Sequence, residues 1–501
     1  MTTVDTAGEV GARGTADAGV PAAGAPRFAA APVLLIAGLA GVLLLVTSGR
    51  YGHGFDELYF LMAGRDHLDW GYFDQPPLVP ALAGALDTLF PGSLVALRLP
   101  YTLAAAAGIV VTALIARELG GRRTAQVLAA AFSATSGLMV LNHWIGTYVL
   151  DPFFWTLLTW LLVRWVRLRD DRLLLLAGLV TAVSLQTKFL IPAYWALIAL
   201  SALVLGPREL LRRPKLWAGA AFAALATVPT LIWQATHDWP YTRMGEVVRA
   251  EFPGAGVFLR DGLLSAGVGV GVLGFLYGLW RLLRAPALRP FRFLGVAVLA
   301  TFLAFLFSGG RSYYALSLLA LPFAAAAVEL SRRNLVRWWK AVAWPAFVLS
   351  AVVTVAALPV YPPALAERMP AAVGPFTLGS TFAKAEGQQE QLADLVGGIY
   401  AALPPEERAR TTVFSEIYPF ASAVEYFGPR YGIEGVYSGH RGYWYFGAPP
   451  ESAENVLFLG FDPGLLRPYF TGSATVVDGL VWTFHDRIRP WAEIWPELRR
   501  Q

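Results

Sequence analysis

Residues Tyr51–Pro100 read YGHGFDELYFLMAGRDHLDWGYFDQPPLVPALAGALDTLFPGSLVALRLP and form the first long segment outside a hydrophobic stretch of the chain. Two adjacent acids, Asp56 and Glu57, open a short amphipathic piece. Asp74 and Gln75 precede a double proline, which holds the backbone before it extended. Carboxylates and prolines between long apolar stretches indicate a polar loop at the edge of a membrane domain. The rest of the sequence is arranged around this loop.

The composition excludes an ordinary soluble domain. The 501 residues are 56% hydrophobic and 15% charged, with a mean hydropathy of +0.51. Seventeen Trp and thirty Phe are typical of aromatic belts at two membrane interfaces. The absence of Cys excludes a disulfide framework, a thiolate nucleophile and a Cys-ligated metal. The net charge of +5 is spread over short loops instead of forming a basic patch, so nucleic acid is not an expected partner.

A stretch of about 20 apolar residues can cross a bilayer, and the sequence predicts about eleven such spans. The short fifth and sixth spans are separated only by Lys188. We therefore predict a polytopic α-helical membrane protein with about 11 transmembrane helices, preceded by a disordered cytoplasmic tail at residues 1–27. The spans are Phe28–Thr47, Leu97–Ala116, Ala125–Val140, Val149–Val166, Leu173–Thr187, Phe189–Leu205, Leu216–Ala235, Leu263–Leu283, Phe293–Phe307, Tyr313–Leu330 and Trp338–Ala357.

Basic residues predict the orientation of the spans, because Lys and Arg are enriched in cytoplasmic loops. One set of alternate loops is rich in them, around residues 117–123, 164–172, 208–215, 281–292 and 332–340. The opposite set carries only Arg50, Arg65, Arg98, Lys188, Arg243, Arg249, Arg260 and Arg311. The N terminus is then cytoplasmic, and the first loop at residues 48–96 is outside. An odd number of spans also places the C terminus outside a plasma membrane that the chain crosses many times.

The composition becomes more polar from about Pro362 onwards. An amphipathic helix pattern lies near Gly387–Leu403, and short strand-like runs follow. We predict a membrane domain at residues 28–361 and a small extracytoplasmic α/β domain at residues 362–501, above the first loop. The strand-like runs are Thr411–Phe414, Asn455–Leu459 and Ala474–Val477.

The predicted outer side gathers ionisable residues, which are costly in or beside membrane spans and therefore suggest function. Besides the loop acids, these are Asp151 near the outer end of the fourth span and Lys188. Structural alternatives remain open for each. Loop acids can simply be solvated, Asp151 can cap a helix that starts at Pro152, and Lys188 can extend its ammonium group to the interface. His53 and His143 have no spacing typical of metal ligands.

Six short motifs, taken in their order and topology, resemble the GT-C membrane glycosyltransferases. The closest likeness is to the protein O-mannosyltransferase and lipid A aminoarabinose transferase group, including its actinobacterial branch. The resemblance covers most of the chain from Arg50 to Pro450. The motifs are FDELYF at Phe55–Phe60, YFDQPPL at Tyr72–Leu78, RLP at Arg98–Pro100, LDPFF at Leu150–Phe154, QTKF at Gln186–Phe189 and VYSGHRGYWYFGAPP at Val436–Pro450.

This resemblance implies inverting transfer of a sugar, such as the hexose mannose, from a polyprenyl-phosphate carrier to an acceptor at the outer membrane face. The implied partners are a polyprenyl-phosphate-linked sugar donor and the lipid bilayer, and the sequence leaves the acceptor open. Because the carrier stays in the bilayer, the site should lie at the interface. There an acid can take the proton of the acceptor hydroxyl, and cations can stabilise the departing phosphate.

Matched to the family by motif, Asp56 is the expected base and Glu57 orients the loop or the acceptor. Asp74 and Asp151 match further family acids. Gln75 stands where the aminoarabinose enzymes often carry Lys, which removes a phosphate-binding cation and weakens a role in lipid A modification. The implied substrate contacts are Lys188, Arg249, His53, Gln75, Glu416, His440, Tyr443 and Trp444, with structural packing an equal alternative for the last four.

Two further questions stay open in the sequence. Some relatives use a divalent metal, and the sequence leaves one open as a cofactor, but no ligand set can be assembled here, so no metal-binding residue is assigned. A transporter or a flippase for lipid-linked sugars is the main alternative function, and a catalytically inactive receptor of the same fold is a third. Transporters tend to have repeated halves and polar helices at mid-membrane. The polar residues here cluster at one face, which favours an interfacial enzyme.

Overall fold

The computed structural model of the protein describes residues 24–332, 337–369, 380 and 383–501, so most of the predicted tail lies outside the described residues. The first two thirds of the described chain are helical. Their helices are α1 (Ala30–Thr47), α2 (Glu57–Arg65), α3 (Leu78–Leu89), α4 (Leu94–Glu118), α5 (Arg123–Ala134), α6 (Leu138–Leu141), α7 (Thr147–Leu168), α8 (Arg172–Leu185), α9 (Ile191–Leu205), α10 (Pro214–Thr236), α11 (Pro240–Ala250), α12 (Ala255–Leu264), α13 (Val270–Arg284), α14 (Arg292–Phe307), α15 (Ala320–Arg332), α16 (Arg337–Ala356) and α17 (Pro363–Arg368).

The prediction of a polytopic helical membrane protein is confirmed, because each of the eleven predicted spans overlaps a helix. Among the described residues, five helical segments are long and apolar enough to cross a membrane, namely α1, α4, α7, α10 and Pro286–Phe307. A sixth arises if the 3-10 helix Ser312–Leu318 and α15, which meet at 53°, count as one span. The predicted eighth span is divided into α12 and α13, with Gly267 and Gly269 at positive φ in the break. The number eleven therefore stays a prediction.

The first loop folds into two short helices, α2 and α3, whose backbones touch. A Cβ atom at Gly64 would lie 1.8 Å from the carbonyl oxygen of Pro80, and one at Gly84 would lie 2.3 Å from the carbonyl oxygen of Gly64. Leu58 and Leu61 are completely buried. This close crossing holds the start of α2, and with it Asp56, in a fixed place at the rim of the membrane domain.

We expect Gly64→Ala to destabilise the protein by about 1–3 kcal/mol, because the added methyl group overpacks the crossing of α2 and α3. A lower melting temperature of the purified protein in detergent would measure this. Gly398→Ala is the matched control, since nothing lies within 4 Å of a Cβ atom there and the residue is inside a helix. It should raise stability by about 0.5–1 kcal/mol. Equal melting temperatures of Gly64→Ala and Gly398→Ala would contradict the expectation.

The C-terminal part contains a five-stranded sheet in the order β2-β1-β3-β5-β4. β1 is parallel to β2 and β3, whereas β5 is antiparallel to β3 and β4. The three predicted strand runs lie in β1, β3 and β4, and the sequence did not reveal β2 and β5. The elements are β1 (Thr411–Ser415), β2 (Val436–Tyr437), β3 (Asn455–Leu459), β4 (Phe470–Val477), β5 (Val481–Arg487), α18 (Gln388–Ala402), α19 (Pro405–Arg408), α20 (Tyr418–Phe427) and α21 (Trp491–Ile494).

The C-terminal part rests on the first loop through a shared hydrophobic core. Leu58 and Leu61 of α2 pack in one cluster with Val396 of α18 and with Ala421 and Val424 of α20. The helix α20 thus contacts both the sheet and the first loop. The predicted domain boundaries at residues 28, 362 and 501 stay a prediction.

Candidate active site

A chain of carboxylates and tyrosines lies where the first loop meets the C-terminal part. Asp56 precedes α2 and accepts a hydrogen bond of 2.5 Å from the hydroxyl of Tyr418, the first residue of α20. The rings of Tyr418 and Tyr59 have centroids 4.8 Å apart. The hydroxyl of Tyr59 donates to Asp74 over 2.9 Å. The fold therefore brings the two predicted loop acids, Asp56 and Asp74, to one cluster.

Burial raises the pKa of both acids in this cluster. For Asp56, the hydrogen bond from Tyr418 and the charge of Arg441 oppose that rise. For Asp74, the opposing groups are Arg441 and the hydroxyl of Tyr59. A carboxylate with a raised pKa binds a proton more strongly. Asp56 is therefore better suited to accept a proton than a solvent-exposed carboxylate is.

Two arginines flank the cluster, and one glutamate holds both. Arg441 lies over the ring of Tyr418 at 5.4 Å and pairs with Glu251 over 2.6 Å. Arg311 pairs with the same Glu251 and donates to the hydroxyl of Tyr313 over 3.0 Å. Sequence reasoning missed both arginines as site residues. The available signal was the position of Arg441 directly after His440 in the motif VYSGHRGYWYFGAPP.

Lys188 joins this group of cations from the side of the membrane helices. Its ammonium lies 4.2 Å from the ring centre of Tyr314 and 5.2 Å from that of Tyr313, and the residue is 9% exposed. Burial lowers the pKa of Lys188, and the nearby carboxylate of Asp151 opposes this effect. The interfacial alternative for Lys188 therefore does not hold, because its ammonium is buried among aromatic rings close to Arg311.

Asp151 lies in the fifth position of α7, so the prediction that it can cap a helix is wrong. The helix begins at Thr147, five residues before the start at Pro152 that this alternative requires. The carboxylate accepts hydrogen bonds from Trp155 over 3.0 Å and from Ser184 over 3.3 Å. Asp151 thus faces the buried side of the bundle beside Lys188.

Glu57 is occupied by an internal ion pair. Its carboxylate receives two hydrogen bonds from Arg98, of 2.9 and 2.6 Å, and both side chains are almost completely buried. The backbone amides of Ile145 and Gly54 also donate to it. Arg98 in turn binds the carbonyl oxygen of Gly52 over 2.7 Å. These contacts fit the predicted orienting role of Glu57 and leave it poorly placed for direct chemistry.

Three histidines near the loop serve as neutral packing partners. His53 lies against the ring of Tyr426, and burial lowers its pKa to about 4. Burial likewise lowers the pKa of His440 to about 3. Its Nδ1 atom accepts from the backbone amide of Tyr418, and its ring stacks on that tyrosine. His143 lies 3.3 Å from a nitrogen of Arg98. His440 therefore contacts the cluster through Tyr418, while His53 lies apart from it.

The remaining predicted contacts lie outside the cluster. Glu416 caps the turn at residues 461–462 by accepting backbone N–H groups, and Trp444 donates to the carbonyl oxygen of Trp495 over 2.9 Å. Tyr443 donates to Glu425. Their contacts fit the packing alternative. Arg249 is exposed in the last turn of α11. Gln75 is 2% exposed, and its Nε2 atom has no hydrogen-bond partner among the described residues.

A divalent metal does not fit the residues present. Within residues 24–332, 337–369, 380 and 383–501, no group of three or more His, Asp or Glu side chains is placed to hold an ion. Asp56 and Asp74 instead take hydrogen bonds from tyrosine hydroxyls. The chemistry of the cluster is therefore derived from the carboxylates, tyrosines and cations of this chain.

Comparison with known proteins confirms the resemblance. Residues 74–233 match the family model described as dolichyl-phosphate-mannose-protein mannosyltransferase. The chain is 18% identical to ArnT from Cupriavidus metallidurans, whose structure was solved bound to undecaprenyl phosphate, with a TM-score of 0.60 over 90% of this chain and 97% of that one. The apo ArnT structure gives a TM-score of 0.61 over the same fractions of the two chains, also at 18% identity.

A more distant likeness connects the chain to the oligosaccharyltransferase AglB from Archaeoglobus fulgidus, solved with an inhibitory peptide and a dolichol phosphate. It has 12% identity and a TM-score of 0.49, over 87% of this chain and 69% of that one. No curated protein matches the chain at a significant level. The assignment of the fold therefore rests on the ArnT structures, and the family match in sequence covers about a third of the chain, all within its first half.

Proposed function

Since this chain is a GT-C membrane glycosyltransferase in fold, we propose that it transfers a sugar from a polyprenyl-phosphate carrier to an acceptor at the outer face of the membrane. The proposed sugar is a hexose such as mannose, and the anomeric centre is inverted. The family model that matches residues 74–233 names a mannosyltransferase that uses a lipid-phosphate donor. The ArnT structure contains a polyprenyl phosphate.

The observation that carries the proposal is the meeting of a base and phosphate-binding cations in one cluster. Asp56 and Arg441 share Tyr418, which donates to the carboxylate and lies under the guanidinium. Arg311 and Lys188 approach the same place through Tyr313. A base for the acceptor and cations for the leaving group are the two elements that transfer from a phosphate carrier requires.

The proposed reaction is a single displacement. The acceptor hydroxyl attacks the anomeric carbon as its proton passes to Asp56, and the bond from that carbon to the carrier oxygen breaks. The electron pair of the broken bond stays on the polyprenyl phosphate, whose charge Lys188, Arg311 and Arg441 stabilise. Attack from the side opposite the phosphate inverts the anomeric centre. Asp74 is proposed to bind the acceptor through its remaining lone pairs, beside the hydroxyl of Tyr59.

The proposed placement at the outer face follows from the distribution of basic residues in the sequence. The dense set of Arg and Lys residues lies in the loops opposite to those that carry Asp56 and Asp74.

An apolar cavity of about 230 Å³ beside Tyr313, lined also by Leu316 and Val353, offers a place for the first isoprene units of the carrier.

A deletion strain tests the proposal. Mass spectrometry of cell-envelope and secreted products should show that at least one product lacks a hexose-type mass, which returns when the intact chain is supplied. Products that all keep their masses would contradict a transferase. The purified chain in nanodiscs should also release undecaprenyl phosphate from undecaprenyl-phosphate-mannose when an extract containing the acceptor is added. A flippase, the alternative function, would leave this donor intact.

Tyr418→Phe should move the acidic limb of the pH–rate profile to higher pH. Asp56 must be ionised to accept a proton, so the rate falls as the pH drops below its pKa. Burial raises that pKa, and the hydrogen bond from Tyr418 lowers it. Loss of the hydroxyl therefore lets the pKa rise further. Initial rates between pH 4 and pH 8 measure the shift, and an unchanged limb would contradict Asp56 as the titrating base.

A further inference from the structure

A second cavity, of about 210 Å³, lies beside the acid cluster. It is formed where three parts of the chain meet. The first loop contributes Asp69 and Gly71, the outer end of α10 contributes Trp233 and His237, and the C-terminal part contributes Phe446 and Tyr445. Its size lies below the roughly 300–1,000 Å³ of sites for drug-sized ligands, and so it suits a single sugar ring.

One layer of side chains separates this cavity from the acids. Phe446 lines the cavity and also stacks on Tyr59 with ring centroids 6.4 Å apart. Tyr59 donates to Asp74 from its other end. A molecule bound in the cavity therefore lies next to the reacting centre without occupying it. This position suits a part of the acceptor that does not itself react.

The lining combines aromatic faces with hydrogen-bond acceptors. Asp69 accepts from the indole N–H of Trp233 over 2.7 Å and from the backbone amide of Trp70 over 2.7 Å. Each of its oxygens keeps a further lone pair, and the residue is exposed. Nδ1 of His237 must donate to the carbonyl oxygen of Trp233 at 2.8 Å, because a carbonyl only accepts. In the neutral ring this leaves Nε2 as an acceptor.

The charges of the lining residues do not favour a second phosphate. Asp69 is the single carboxylate among the described residues that line the cavity, and no Lys or Arg lies among them. His67, the other titratable group besides His237 and the tyrosines, is bound to Glu425 over 2.8 Å. Arg499 donates to the hydroxyl of Tyr445 from outside the lining, and Lys188, Arg311 and Arg441 lie at the acid cluster. The cavity therefore suits a neutral ligand that carries hydroxyl donors and an apolar ring face.

We propose that this cavity is a carbohydrate subsite that binds one neutral pyranose unit of the acceptor. The apolar side of the sugar ring packs against the aromatic side chains that line the cavity, among them Tyr445 and Phe446, and its hydroxyl groups donate to Asp69 and to Nε2 of His237. The identification of the ligand as part of the acceptor rests on the proposed function. It restricts the acceptor to a molecule that already carries a sugar, such as a glycan chain or a glycoside.

Ligand-observed saturation-transfer NMR tests this subsite on the full-length protein in nanodiscs. The probes are the methyl glycosides of mannose, glucose and galactose. At least one should give a signal that Asp69→Asn and His237→Ala each weaken by about tenfold in apparent affinity, as expected for losing a hydrogen bond to a polar group. Asp66→Asn is the matched control, since Asp66 lies three residues from Asp69, is paired with Arg65 and does not line the cavity.

The variant Asp56→Asn separates failure of the subsite from failure of the proposed function. It should keep the glycoside signal, because Asp56 does not line the cavity. A signal that is absent for every glycoside, or that Asp69→Asn and His237→Ala leave unchanged, overturns the subsite even if Asp56→Asn abolishes transfer. A signal lost in Asp56→Asn also overturns it, because the sugar then binds at the acid cluster. If Asp56→Asn leaves transfer intact, the proposed base fails while the subsite stands.

Discussion

Asp56→Asn is expected to lower the rate of sugar transfer by about 10²–10⁴-fold, the range typical of losing a general base. The substitution keeps the size of the side chain and its ability to accept from the hydroxyl of Tyr418. It removes the negative charge and the capacity to take up a proton. The melting temperature should therefore stay close to that of the unchanged protein while the rate falls.

The measurement is the initial rate of undecaprenyl-phosphate release from undecaprenyl-phosphate-mannose in nanodiscs, with an extract that contains the acceptor. Asp66→Asn is the control, because it makes the same chemical change in the same loop on an exposed carboxylate that pairs with Arg65 over 2.8 Å. It should transfer at the normal rate. Undiminished transfer by Asp56→Asn would remove Asp56 from the role of the base.

Local patterns in the sequence were sufficient to predict much of the fold. Apolar length identified the helices, and every predicted span overlaps one. The breaks inside spans were harder to predict, because they depend on tertiary contacts. Gly267, for example, lies at a φ of +108° in the break between α12 and α13, where a Cβ atom would meet the carbonyl oxygen of Thr135 at 2.5 Å. An average of hydropathy along the sequence cannot detect such a contact between distant residues.

The candidate site was only partly predictable, because its closest contacts join distant parts of the chain. Asp56 and Asp74 were found in conspicuous motifs of one loop. Tyr418, which donates to Asp56, is 362 residues away in sequence. The position of Arg441 next to His440 in an aromatic motif was a signal, but a single sequence does not tell which residue of such a motif lies over Tyr418. Tyr418 begins α20, Arg441 lies in the segment after β2, and the fold places Arg441 over the ring of Tyr418 beside Asp56.

The second large effect concerns Arg98, whose removal should destabilise the protein by about 3–5 kcal/mol. Arg98→Ala leaves the carboxylate of Glu57 buried without its cation. It also leaves the carbonyl oxygen of Gly52 without its donor. Removing one member of a buried ion pair costs far more than removing a surface pair, which contributes about 0–1 kcal/mol. Arg65→Ala, which breaks the exposed pair with Asp66, is the matched control.

The effect of Arg98→Ala should also depend on pH. Burial by itself raises the pKa of Glu57, but the charge and hydrogen bonds of Arg98 outweigh this and hold it below the ordinary value of 4.5. A carboxyl group whose pKa is lower in the folded than in the unfolded state stabilises the folded state at a pH above its unfolded pKa, and this stability is lost as the pH falls through its folded pKa.

Melting temperatures of the purified protein and of Arg98→Ala between pH 7 and pH 4 should therefore show the largest deficit of the variant at pH 7. The deficit should begin to shrink above pH 4.5, because burial without Arg98 raises the pKa of the carboxyl group that the substitution leaves, and it should shrink further as the pH falls through the lowered pKa of Glu57 in the unchanged protein. A deficit that is absent at pH 7, or that grows towards low pH, would contradict the view that this ion pair holds the loop and Asp56 in place.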